Sequence, residues 1–205
     1  MDQSKKYSVL LTGGIASGKT AISNYLAHKG AEIIDTDLIS RSLTEGKSAE
    51  SQMVLQEIVA NFGGEILTKE GTLDRRKMRA LIFVDQKAKV TLESLLHRRI
   101  LEIVKCRLST PTSASYYVVV VPLISSQSPY LSLCDEVLVV EVPYELQLQR
   151  LIARDNIDLS LAQKMIDSQI SRLDRRLLGH YIIVNQNRSF VERILDRLHQ
   201  YYADM

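Results

Sequence analysis

The sequence predicts an α/β fold: a five-stranded parallel sheet flanked by helices, with a helical substrate subdomain and a helical lid. Three observations carry this reading. Five short apolar runs stand out, at 8–11, 32–34, 116–121, 136–142 and 181–184. They are nearly continuous rather than alternating, which suits strands buried on both faces of a parallel sheet. Stretches with helical periodicity separate them, over roughly 19–29, 49–61, 74–84, 86–108, 144–154, 159–170 and 188–203. With 205 residues, 45% hydrophobic and 24% charged, the chain can bury a proper core, so a disordered or fibrous protein is excluded.

The first run is preceded by Lys5 and Lys6, and its apolar stretch is too short for a signal peptide. It leads into Gly13-Gly14-Ile15-Ala16-Ser17-Gly18-Lys19-Thr20, which matches the phosphate-binding pattern G-x-x-x-x-G-K-[ST]. Each part has a physical task. Glycines let the backbone form a nest whose N–H groups point at phosphate oxygens. The helix that follows adds its positive N-terminal end. Lys19 supplies a mobile cation for the β- and γ-phosphates, and Thr20 offers a hydroxyl to Mg²⁺.

The second run ends in Asp35-Thr36-Asp37. Ligands in open parallel sheets gather at the carboxyl ends of strands. Either carboxylate there can accept a hydroxyl proton or help hold Mg²⁺, and either can equally cap a helix or turn. Beside a phosphate loop the first role is favoured, with Asp37 placed above Asp35.

No strand signal interrupts the segment to residue 109, so it reads as a helical subdomain. Its turns fall at Phe62-Gly63-Gly64 and Glu70-Gly71. A polar loop over 109–115 leads to the third run, which closes on Val120-Val121-Pro122 without an acid. After the fourth run, Arg150 and Arg154 lie one turn apart on one helix face. Small-molecule kinases commonly bring such arginines in on a closing lid. Arg172, Arg175 and Arg176 are interleaved with acids and read as a solvated face. The expected division is a core of 1–40, 110–150 and 180–205, a helical acceptor subdomain of about 41–109, and a lid of about 150–179.

The absences also inform. There is no N-K-x-D and no D-x-x-G after a strand, which leaves out the usual guanine-reading and switch patterns. A formal net charge of +2 argues for neither nucleic acid nor a membrane surface as partner. The longest apolar stretch, 116–124, is far below spanning length. Cys106 and Cys134 have no metal-ligand spacing, which fits a reducing, cytoplasmic setting.

Taken together, these pieces resemble the dephospho-coenzyme A kinase family along nearly the whole chain. Leu11 to Thr20 is similar to its phosphate loop, with Ala16 where glycine is usual. Ile34 to Arg41 resembles its D-x-D segment and following arginine, and Gly71 to Phe83 its G-x-L-x-R…F segment. His97, Pro122-Leu123, Gln147 to Arg150, Arg154-Asp155, Gln169 and Asn185 follow in the family's order.

The resemblance implies transfer of the ATP γ-phosphate to the ribose 3′-hydroxyl of dephospho-coenzyme A. It implies Asp37 as the base, and Gly13 through Thr20 with Ala21 as the ATP·Mg²⁺ loop. Thr20 and Asp37 would be the metal ligands. Arg150 would act on phosphates and, with Asn185, lie near adenine. Arg41, Arg75, Arg79, His97, Pro122 and Leu123 would lie by the acceptor. Two rival readings stay open: a nucleoside or nucleotide monophosphate kinase, and a non-catalytic nucleotide-binding regulator.

Overall fold

The computed structural model describes residues 6–205, so Lys5 and the first four residues of the expected core lie outside the described part. In chain order the elements begin with β1 (Ser8–Gly13), α1 (Lys19–His28) and β2 (Glu32–Asp35). Four helices follow: α2 (Thr36–Ser42), α3 (Ala49–Phe62), α4 (Arg75–Val84) and α5 (Gln86–Ser109). The chain then forms β3 (Tyr117–Val120), β4 (Glu136–Glu141), α6 (Tyr144–Asp155), α7 (Leu159–Asp167), α8 (Arg172–Leu177), β5 (Tyr181–Val184) and α9 (Arg188–Asp204). It divides into two compact units, one of residues up to Asp35 with Lys105–Met205, the other Thr36–Val104.

The first unit holds the sheet, whose strand order is β2-β3-β1-β4-β5 and whose pairs are all parallel. Val9, Leu10 and Leu11 of β1 face Val118, Val119 and Val120 of β3 in register. These residues are almost wholly buried, as continuous apolar strands require when helices cover both faces. Ile22 and Leu26 of α1 join Val191, Leu195 and Tyr202 of α9 in the main core cluster. Ser8 ties the start of the sheet to the next loop by donating from N and Oγ to Asp135 Oδ2, at 2.8 and 2.7 Å.

β5 departs from the expectation of burial on both faces. Ile183 is buried, but Tyr181, Ile182 and Val184 are exposed. The strand is at the sheet edge, and α9 residues pack with Ile183 in the core cluster.

The regular elements of the second unit are helices, joined by turns that include one short antiparallel bridge between Leu67 and Leu73. Ser48 and Ser51 close a capping box at the start of α3. Asp74 caps α4 by accepting from the N–H groups of Arg76 and Lys77, both at 3.0 Å. Val54, Leu55, Ile58, Ile66 and Met78 are among its buried apolar residues.

Two helices lie where the sequence signals none. α2 begins directly after β2, so Asp37 sits in a first helical turn. The expected helix over 159–170 ends at Asp167, and Ser171 starts α8 by accepting from Asp174 N–H.

Candidate active site

The predicted phosphate loop joins β1 to α1 in the first unit. Gly13 closes the strand in register with Val140, and Gly18 is the N-cap residue of α1. Gly18 has φ 92°, a left-handed conformation that favours glycine. A side chain there would also run into Asn185 Nδ2. Ser17 N–H donates to the Gly14 carbonyl at 3.2 Å, tightening the turn. Lys19 Nζ donates to the carbonyls of Gly13 and Gly14, at 2.8 and 3.0 Å, so its ammonium lies on the loop. Thr20 and Ala21 are exposed in the first turn of α1, where the helix N-terminus favours an anion.

Ala16 is the one strained residue of this loop. Its φ of 55° is left-handed, which costs a non-glycine residue roughly 1–2 kcal/mol. Ile15, just before it, is held on both sides. Its N–H donates to Gln169 Oε1 at 2.9 Å, and its carbonyl accepts from Gln147 Nε2 at 2.8 Å.

Behind the loop lies a charge cluster that sequence patterning did not identify. Glu141, the last residue of β4, is 4% exposed and receives two arginines. Arg175 Nε donates to Glu141 Oε1 at 2.8 Å, and Arg172 Nε stands 3.3 Å from Oε2. Arg175 Nη1 also donates to the Ile170 carbonyl, and Arg172 Nη2 to the Val142 carbonyl. Two guanidinium groups share one carboxylate, leaving a net positive charge beside Gly14. Arg172 and Arg175 are therefore structural partners of a strand end, not the solvated face expected from the interleaved acids. A signal existed: Glu141 is a carboxylate inside the otherwise apolar stretch 137–142.

Asn185, just after β5, donates from Nδ2 to the Ser17 carbonyl at 2.8 Å. Its own N–H donates to the Glu141 carbonyl at 2.7 Å. Arg150 lies close by, with Nη1 at 4.0 Å from the position a Gly18 Cβ would take. A groove of about 630 Å³ opens here, lined among others by Ala21, Tyr25, Arg150, Asn185, Arg188 and Val191. Arg154 takes another course and donates to Asp155 from Nε and Nη2, at 2.7 and 2.8 Å. That contact holds the Asp155 carboxyl below the usual range. Pro122 is half-buried and Leu123 exposed in the loop after β3.

Asp35 is half-buried at the end of β2, opposite Val120 in register. Asp37 is exposed in the first turn of α2. In the second unit, Arg41, Arg75 and Arg79 share a groove of about 490 Å³ with Thr44, Lys47 and Thr72. Arg75 is oriented there by donating from Nη2 to Thr44 Oγ1 at 2.7 Å and to the Arg41 carbonyl at 3.4 Å. His97 is exposed on α5 and does not line this groove.

Among the described residues, no cluster of three or more His, Cys, Asp or Glu could hold a metal by itself. The first unit offers the Thr20 hydroxyl and the Asp35 carboxylate, and the second the Asp37 carboxylate. Each is a hard oxygen donor of the kind that suits Mg²⁺, an ion that keeps several waters and binds through substrate phosphates. No helix among the described residues is long and apolar enough to cross a membrane.

The chain is similar to known proteins along nearly its whole length. The family model described as dephospho-CoA kinase matches residues 7–190. A dephospho-CoA kinase of Fusobacterium nucleatum is 35% identical over 191 residues, covering 93% of this chain and 94% of its own. One of Vibrio vulnificus is 38% identical over 202 residues, with 95% of each covered. The solved structure of a dephospho-CoA kinase from Campylobacter jejuni is 25% identical and superposes with a TM-score of 0.68, covering 97% of this chain and 98% of that one.

Proposed function

The chain belongs to the dephospho-CoA kinase family, and from that premise we propose how its residues carry the reaction. The enzyme transfers the γ-phosphate of ATP to the ribose 3′-hydroxyl of dephospho-coenzyme A, giving coenzyme A and ADP. The new bond joins the 3′-oxygen to phosphorus, the bond to the β-phosphate oxygen breaks, and the hydroxyl proton is lost. The observation that carries the reading is the phosphate loop itself, with Lys19 lying over it at the N-terminus of α1.

Backbone N–H groups from Gly13 to Ala21 cradle the ATP phosphates. Lys19, a point charge, leaves the Gly13 and Gly14 carbonyls to follow the transferring group. Arg150 and Asn185 flank the groove beside the loop, which takes the nucleoside end. Thr20 and Asp37 would hold Mg²⁺, which would supply charge neutralisation at the phosphate oxygens.

Asp37 orients the 3′-hydroxyl and accepts its proton. The groove of Arg41, Arg75 and Arg79 concentrates positive charge, which suits the diphosphate of the acceptor. His97, Pro122 and Leu123 serve the acceptor side. Residues of about 150–179 act as the lid that excludes water. Two free cysteines accord with a cytoplasmic setting.

The test is a product assay with purified protein, ATP and a panel of acceptors. Phosphate should appear on the 3′-oxygen of dephospho-coenzyme A, with nucleosides and nucleoside monophosphates unreactive. Preferential phosphorylation of a nucleoside or nucleotide would overturn the reading, as would ATP binding without transfer to any acceptor.

A further inference from the structure

Ala16 is held left-handed by residues far away in the chain. The Ile15 carbonyl belongs to the peptide plane that precedes Ala16, so fixing that carbonyl fixes one side of the Ala16 φ torsion. Gln147 Nε2 fixes it, and Gln169 Oε1 fixes the Ile15 N–H on the other side. Gln147 is itself immobilised. It is 2% exposed, and its Oε1 faces Arg172 Nη2 at 3.4 Å, which leaves the amide nitrogen to meet the loop. Arg172 is in turn paired with Glu141. Strained backbone persists only where the surroundings over-determine it. The strain also has a use, because a left-handed residue in a turn aims successive N–H groups into one concavity, as an anion nest requires.

We propose that Gln147 and Gln169 are positioning residues that hold the strained Ala16, and with it the phosphate loop, in its nucleotide-binding shape. Neither touches the reacting atoms. α6 and the segment after α7 thereby govern nucleotide affinity through one peptide. The proposal rests on the reading of this loop as the ATP site.

The test is a double-mutant cycle between the glutamine and the alanine. ATP affinity by calorimetry, kcat, KM for ATP and melting temperature are measured for the wild type, Gln147→Met, Ala16→Gly and the pair. Glycine adopts the left-handed conformation without strain, so it should hold the nest open unaided. With Ala16 present, Gln147→Met should weaken ATP binding about tenfold. With glycine at that position, the same substitution should cost no more than about twofold. Its effect on melting temperature should be similar in both backgrounds.

Equal losses of ATP affinity in both backgrounds would overturn the proposal, and so would no loss in either. Gln169→Met, at a less buried side chain, repeats the comparison should Gln147→Met not fold. Failure of the kinase reading would look different: the wild type would bind ATP and transfer nothing to dephospho-coenzyme A.

Discussion

Arg175 donates from Nε to Glu141 Oε1 at 2.8 Å, and the two side chains are 6% and 5% exposed. This buried pair joins α8 to the end of β4 directly behind the phosphate loop. Removing one partner of such a pair leaves the other charge buried and uncompensated, at about 3–5 kcal/mol. Glu141→Gln should therefore lower stability by about 3 kcal/mol, because both Arg172 and Arg175 lose their carboxylate. Chemical denaturation of the variant checks it; a loss below about 1 kcal/mol, the range of surface pairs, would show the pair to be of little consequence.

Lys19→Ala should reduce kcat by more than about a hundredfold and leave the melting temperature near wild type. Its ammonium donates to the Gly13 and Gly14 carbonyls at the surface of the loop, and its side chain is not part of the buried apolar core. Turnover within threefold of wild type would remove Lys19 from the reaction.

Asp37→Asn should depress kcat by about 10²–10⁴-fold, the range of general-base effects. ATP affinity should change by less than about tenfold, since the loop is untouched. Asp35→Asn is the comparison. A dead Asp35→Asn with an active Asp37→Asn would move the base to the other carboxylate. Steady-state kinetics and a nucleotide-binding isotherm on both variants separate the roles.

Asp74 gives a pH dependence of defined sign. The Lys77 N–H, and after it that of Arg76, hold its carboxyl below the usual range. A depressed folded value adds stability that is present above the unfolded value of about 4 and lost as pH falls through the folded one. Asp74→Asn should melt lower than wild type at pH 6, and the two melting curves should converge as pH falls below about 4. A gap that persists unchanged into acid would assign the difference to packing, not charge.

The sheet was legible because its strands are continuous apolar runs, and the phosphate loop because four fixed positions, Gly13, Gly18, Lys19 and Thr20, have few other uses at that spacing. The second helix was not. Its sequence, Thr36 to Ser42, is seven residues with Thr and two Ser, too short for a helical period to emerge. α8 escaped for a related reason, since Arg172-Leu173-Asp174-Arg175-Arg176-Leu177 reads as surface until Glu141, more than thirty residues earlier, is placed against it. Charge type alone does not say whether an arginine meets water or a buried carboxylate. Arg41, Arg75, Arg79 and His97 were expected by the acceptor; the three arginines line one groove, and His97 is not among its lining residues. Gln147 and Gln169 carry no sequence signal beyond their order in the chain, because nothing local ties a glutamine to a backbone 132 or 154 residues away.

The outer edge of β5 sets a limit on how this protein can be handled. Tyr181, Ile182 and Val184 lie 37%, 40% and 45% exposed on a strand that pairs with β4 alone and carries neither lysine nor proline. Charged or kinked edges are the common defence against strand addition, and this edge has none. Concentrated samples, and molecules caught part-way through refolding, will find it the readiest place to stick. A lysine in place of Ile182 is the economical remedy, since it would charge the edge and leave the buried Ile183 in the core.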